Sequence, residues 1–69
     1  MARVMLGIKG MNSQERAEKV KQVLLSIEGV EKVEADRSEQ ATVMYDEAAI
    51  TVMDLVGKLR RLGIRAGME

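Results

Sequence analysis

The residues with most chemistry to offer lie in one stretch, Ile8-Lys9-Gly10-Met11-Asn12-Ser13-Gln14-Glu15-Arg16, which brings a thioether, an amide, a hydroxyl and a guanidinium together. The hydroxyl has no partner to activate it. The 69 residues contain no His and no Cys, so the commonest general base, thiol catalysis and thiolate metal sites are all excluded. Six methionines invite a thioether site for a soft cation, yet Met5, Met11, Met44, Met53 and Met68 show no ligand-like spacing. Met1 and Met68 are terminal, and Met5 and Met44 alternate opposite to the core positions. Gap-filling is the plainer role for such side chains. Asp36, Asp46 and Asp54 fall on different elements, so nothing pairs them for acid–base work. Gly7 and Gly10 alone do not make a phosphate-cradling loop. A helix starting near Asn12 would offer free N–H groups to an anion, with Lys9, Arg16 and Lys19 adding charge. Glu15 and Glu18 offset that field, and the Asn12 side chain takes one donor. Arg60, Arg61 and Arg65 read either as cations favoured at a helix C-terminus or as a patch for an acidic partner.

Composition narrows the classes further. Eleven basic residues cancel eleven acidic ones, and Tyr45 is the only aromatic residue, so neither a basic field nor a stacking platform for nucleic acid is present. No apolar run approaches the roughly 20 residues of a membrane span, and the short apolar start is interrupted by Lys9. The expectation is one soluble domain over residues 1–69, cytoplasmic, with no membrane or nucleic-acid partner.

Two hydrophobic periods alternate along the chain and would position the loop. Val4, Leu6 and Ile8 share a face at period 2, a strand over residues 4–8 ended by Gly10. Asn12 stands three residues before Glu15, a variant capping box, with Ser13 as an equally good cap one residue later. The helix it opens runs to about Ser26 on a stripe of Ala17, Val20, Leu24 and Ile27, and Gly29 suits the left-handed residue after its end. Residues 30–36 form a second strand, with Val33 and Ala35 alternating against charges. Residues 37–40 make a polar turn, and Ala41, Val43 and Tyr45 face one way in a third strand over 41–45 that closes an antiparallel hairpin. Thr51 and Asp54 form a second capping box, followed by Val52, Leu55, Val56, Leu59 and Leu62 at helical spacing. Gly57 lies inside that helix, and a close contact with the sheet would account for it. Gly63 stops the helix, and residues 64–66 form a short last strand. The order is βαββαβ, an α+β ferredoxin-like sandwich with a four-stranded antiparallel sheet and both helices on one face. Lys32, Glu34, Thr42 and Met44 point to the other face and meet solvent.

The loop sits where heavy-metal-associated domains of the copper-chaperone-like family carry G-M-x-C-x-x-C, and the chain resembles that family over nearly its whole length. Ile27-Glu28-Gly29-Val30, Ala41-Thr42-Val43, Tyr45-Asp46 and Leu62-Gly63-Ile64-Arg65-Ala66 carry the match onward. The resemblance implies metal handling by two thiolates, but Ser13 and Arg16 stand at the two cysteine positions. A hydroxyl is a hard, poor donor for Cu(I) or Hg(II), and a guanidinium is a permanent cation. The family's metal site therefore does not transfer, and no cofactor is expected. By the same resemblance Met11 packs under the loop. Partner domains in the family meet the surface of the loop and the turn before the last strand, here Met11, Ser13, Arg16, Ile64 and Arg65. The leading expectation is a metal-independent protein-interaction or regulatory module linked to metal transport. Its partner would be a metal-transporting ATPase or related domain, and it would be a monomer or a weak edge-strand dimer. The alternative is a copper- or mercury-binding module that binds weakly, or only by sharing ligands such as Met11 with a partner. An acylphosphatase-like enzyme would use Asn12 and Arg16, but the surrounding pattern does not match it. Deliberate removal of cysteines from a metal-binding parent would leave the same sequence.

Overall fold

The computed structural model describes residues 2–35 and 38–68. The elements run β1 (Ala2–Ile8), α1 (Gln14–Leu25), β2 (Val30–Ala35), β3 (Gln40–Tyr45), α2 (Val52–Arg61) and β4 (Ala66–Met68). The sheet order is β2-β3-β1-β4, antiparallel at every pairing. Consecutive strands in the chain are thus separated where a helix joins them, which is the ferredoxin-like α+β arrangement expected from the pattern. Asp36 and Arg37, assigned to the end of the second strand and the start of the turn, lie outside the described residues, as does Met1.

The period-2 positions explain the core. Leu6 and Ile8 of β1, Ala41, Val43 and Tyr45 of β3, and Val33 of β2 are buried in one cluster with Ala17, Val20 and Leu24 of α1 and Leu55, Val56 and Leu59 of α2. The alternate residues Lys32 and Glu34 are exposed, while Thr42 and Met44 are half-buried on the far face. Among the described residues no polar side chain is buried.

One open choice is settled and three local expectations are corrected. The cap of α1 is Ser13 rather than Asn12: Ser13 is extended (φ −140°, ψ 158°) and its hydroxyl accepts from the Arg16 N–H at 3.2 Å. Met11 and Asn12 are needed outside the helix, to carry the chain from the turn at Gly10 while Met11 is buried. Gly29 does have a positive φ (+100°), but the helix caps at Ser26, so Gly29 serves the following turn. There its carbonyl accepts from the Asp46 N–H at 2.8 Å, and a Cβ would press on Ile50 at 3.2 Å. The last strand begins at Ala66 rather than Ile64. The Ile64 N–H is still committed to the Leu59 carboxyl-terminal helix carbonyl at 2.9 Å, so the chain cannot pair with β1 until two residues later. For the same reason Leu62 is not on the buried stripe; it caps the helix and is 53% exposed.

α2 opens on the expected capping box, with Asp54 N–H to Thr51 Oγ1 at 3.3 Å and Thr51 N–H to Asp54 Oδ2 at 2.9 Å. Gly57, however, makes no close contact with the sheet, since a Cβ there meets nothing within 4 Å. Gly57→Ala is therefore expected to stabilise the chain by about 1 kcal/mol through helix propensity. In a domain this small that raises Tm by about 4–8 °C in calorimetry. A fall in Tm would show that the glycine is needed where it stands.

Candidate functional site: the first loop and its cleft

The loop between β1 and α1 turns at Gly10, whose φ of +85° lies in the left-handed region. Both halves of the Gly10 backbone are held by charged side chains. Its N–H donates to the Glu39 carboxylate (Oε2) at 2.7 Å, and its carbonyl accepts from the Arg16 guanidinium (Nη1) at 3.0 Å. Glu39 comes from the turn before β3 and is itself left-handed, with φ 64°, an uncommon state for a residue with a Cβ. Its carbonyl accepts from the Ile8 N–H at 2.8 Å. Arg16 comes from the first turn of α1. A strand, a helix and a hairpin turn thus converge on the backbone of one residue, with an anion at its N–H and a cation at its carbonyl.

Met11 lies beneath the loop, 1% exposed and part of the core cluster. It supports the loop from below and does not present its sulfur at the surface. Ser13 is half-buried with its hydroxyl engaged in the cap, and Asn12 and Arg16 are exposed.

Beside the loop is a cleft of about 390 Å³. It is lined by the apolar side chains of Ile8, Met11, Val20, Val23, Leu62 and Ile64 and by the exposed, cationic Lys9, Arg16 and Lys19. The loop and the turn before β4 therefore meet, as the docking expectation requires for Arg16 and Ile64. Arg65 does not line this cleft; with Arg60 it lines an adjoining depression that shares Gly63 and Ile64 with it. The Arg65 carbonyl accepts from the Lys9 N–H at 2.9 Å. Arg61 faces a third depression with Met53 and Asp54, so the three arginines are not one patch. Lys58, Arg60 and Arg61 do occupy the last turn of α2, where the helix dipole favours cations.

The other candidates disperse. Met5 and Met44 alternate opposite to the buried positions of β1 and β3, while Met53 is exposed on α2 and Met68 at the end of β4. Asp46 accepts from the Ala48 N–H at 3.0 Å and Asp54 serves its capping box. Among the described residues no three His, Cys, Asp or Glu side chains are grouped to hold a metal ion. Glu39 was missed by sequence reasoning, since a single carboxylate in a polar turn carries no signal of what it will reach across the fold.

The sequence profile of the heavy-metal-associated domain matches residues 6–64. The chain belongs to the heavy-metal-associated domain family. No curated protein matches it. Among solved structures, oxidized MerP from Ralstonia metallidurans CH34 is similar at 28% identity and a TM-score of 0.91, covering 99% of this chain and 96% of that one. The N-terminal domain of a potential copper-translocating P-type ATPase from Bacillus subtilis, in its Cu(I)-loaded state, is 27% identical at a TM-score of 0.84, covering 96% and 84%. A copper-binding domain from HMA7, a P-type ATPase, shares the fold at a TM-score of 0.93 with 21% identity, covering 100% and 95%.

In this heavy-metal-associated domain the two positions that resemblance assigns to cysteines are filled by groups already committed within the chain. The Ser13 oxygen caps α1, and the Arg16 guanidinium bonds the Gly10 carbonyl. Neither is a soft donor.

Proposed function

We propose that this domain is a metal-independent protein-interaction or regulatory module linked to metal transport, working in the cytoplasm without enzymatic activity. The Arg16–Gly10 bond carries the reading. A permanent cation fastened across the loop holds the loop's shape with no ion bound and repels any cation approaching it. The partner is a metal-transporting ATPase or a related domain, a setting suggested by the Bacillus subtilis relative. It docks on Ser13, Arg16 and Ile64, with Arg65 at the margin and Met11 as the support underneath. The burial of Met11 argues against a cation shared with the partner, because its sulfur cannot be reached without opening the loop. The exposed Lys32 and Glu34 on edge strand β2 and the bulge between Val30 and Lys32 disfavour edge pairing, in keeping with a monomer.

Two titrations test this. Competed against a chelator, the monomer is expected to show no sub-micromolar 1:1 uptake of Cu(I). Mixed with the cysteine-bearing domain of a copper-translocating ATPase, it is expected to form a complex whose Kd is the same with and without Cu(I). Arg16→Glu weakens that complex at least about tenfold, or 1.4 kcal/mol. Tight uptake by the domain alone, or a complex that forms only with Cu(I), overturns the reading.

A further inference from the structure

We propose that the cleft between the first loop, α1 and the turn before β4 is a binding site for a small amphipathic anion, with an apolar body and one carboxylate or phosphate head. The site does not depend on the docking role. At about 390 Å³ the cleft falls in the size range of small-ligand pockets, roughly 300–1,000 Å³. Its lining combines apolar side chains, with Ile8, Met11 and Val20 buried, and three exposed polar side chains, those of Lys9, Arg16 and Lys19, which are all cationic. Among the described residues no carboxylate lines it.

The nearby acids do not line the cleft. Arg16, Lys19, Val20 and Val23 share the helix face that meets it; Glu18 falls well off that face at 100° per residue, and Glu15, 40° from Lys19, stands exposed at its edge. Glu39 is held by the Gly10 N–H and lines a neighbouring depression, which shares Ile8 and Lys9 with the cleft. An apolar tail laid over Val20 and Val23 puts a head group at the cationic side chains. A neutral amphiphile gains only the apolar lining, and a small anion only the cations. The pairing of both in one ligand is what the cleft selects.

The test is a titration of the 15N-labelled chain followed by NMR, at fixed ionic strength and below micelle-forming concentrations. The probes are octanoate, octyl phosphate, octanol, octylammonium and acetate. Octanoate or octyl phosphate is expected to give saturable shifts at the amides of residues 9–11, 16–23 and 62–64, with a Kd at least tenfold below those of octanol and acetate. Octylammonium is expected not to bind. The exposed double variant Lys9→Gln/Lys19→Gln weakens the anion at least fivefold while its spectrum stays folded. The proposal is overturned if octanol binds as well as the anions, or if the shifts map to the depression around Met53. It also fails if the lysine variant binds unchanged, or if dilution alone moves the same amides, which would mean that a second copy of the chain covers the cleft.

Discussion

Exchanging Ser13 and Arg16 together for cysteine is expected to produce a chain that takes up one Cu(I), with a Kd lower than the parent's by on the order of 10⁴-fold, about 5.6 kcal/mol. The positions are the cap and the third residue of α1, so their side chains share one side of the helix start. Thiols there lie at the positive end of the dipole, which favours the thiolate. Two soft donors replace a hard one and a repelling cation. The apo variant loses something first: the cap of half-buried Ser13 and the bond of exposed Arg16 to Gly10, about 1 kcal/mol each. Its melting point without metal should fall accordingly. Metal then restores it by mass action, about 4 kcal/mol at a free concentration 1,000 times Kd. Competition against a chromophoric chelator and melts with and without Cu(I) read both halves. A double variant that binds no better than the parent would mean that sulfur is not what this loop lacks. Single cysteine variants, each with one thiolate, should fall far short of the pair.

The layout of the fold was legible because its signals are periodic and redundant. Val4, Leu6 and Ile8 against Ala41, Val43 and Tyr45 repeat at period 2, and Ala17, Val20 and Leu24 repeat at helical spacing, so no single residue had to be read correctly. The ends of elements rest on one or two bonds and were less legible. Asn12 and Ser13 are equivalent as caps by type, and only the need to bury Met11 before the helix decides between them. The start of β4 depends on whether Ile64 N–H bonds back to Leu59, a choice that no local pattern encodes. The loop was legible as one that lacks a thiol. Its wiring was not, because Glu39 meets Gly10 across 29 residues of sequence through a backbone state that Glu seldom adopts. The three arginines near the end of α2 look adjacent in sequence, yet the turn at Gly63 sends Arg65 with Arg60 and leaves Arg61 on another face.

The clamp and the buried thioether divide the work of shaping the loop, and Met11 carries the larger share. Met11→Ala is expected to cost about 2–5 kcal/mol, the range for emptying a buried methionine site. Total stability for 69 residues is expected at about 3.5–10 kcal/mol, so this is about a fifth of it or more. Met11→Leu keeps the volume and apolarity and should cost less than about 1.5 kcal/mol. Urea midpoints measure the two, and exchange of the Gly10 amide reports the loop itself. That N–H is held by Glu39, so its protection should drop in the alanine variant beyond the global change and hold in the leucine variant. The ordering separates packing from sulfur chemistry. If leucine proves as damaging as alanine, the thioether does something that volume cannot replace, and a metal-sharing role for Met11 returns. If both are neutral, the loop is held by Arg16 and Glu39 alone and Met11 is a passenger in the core.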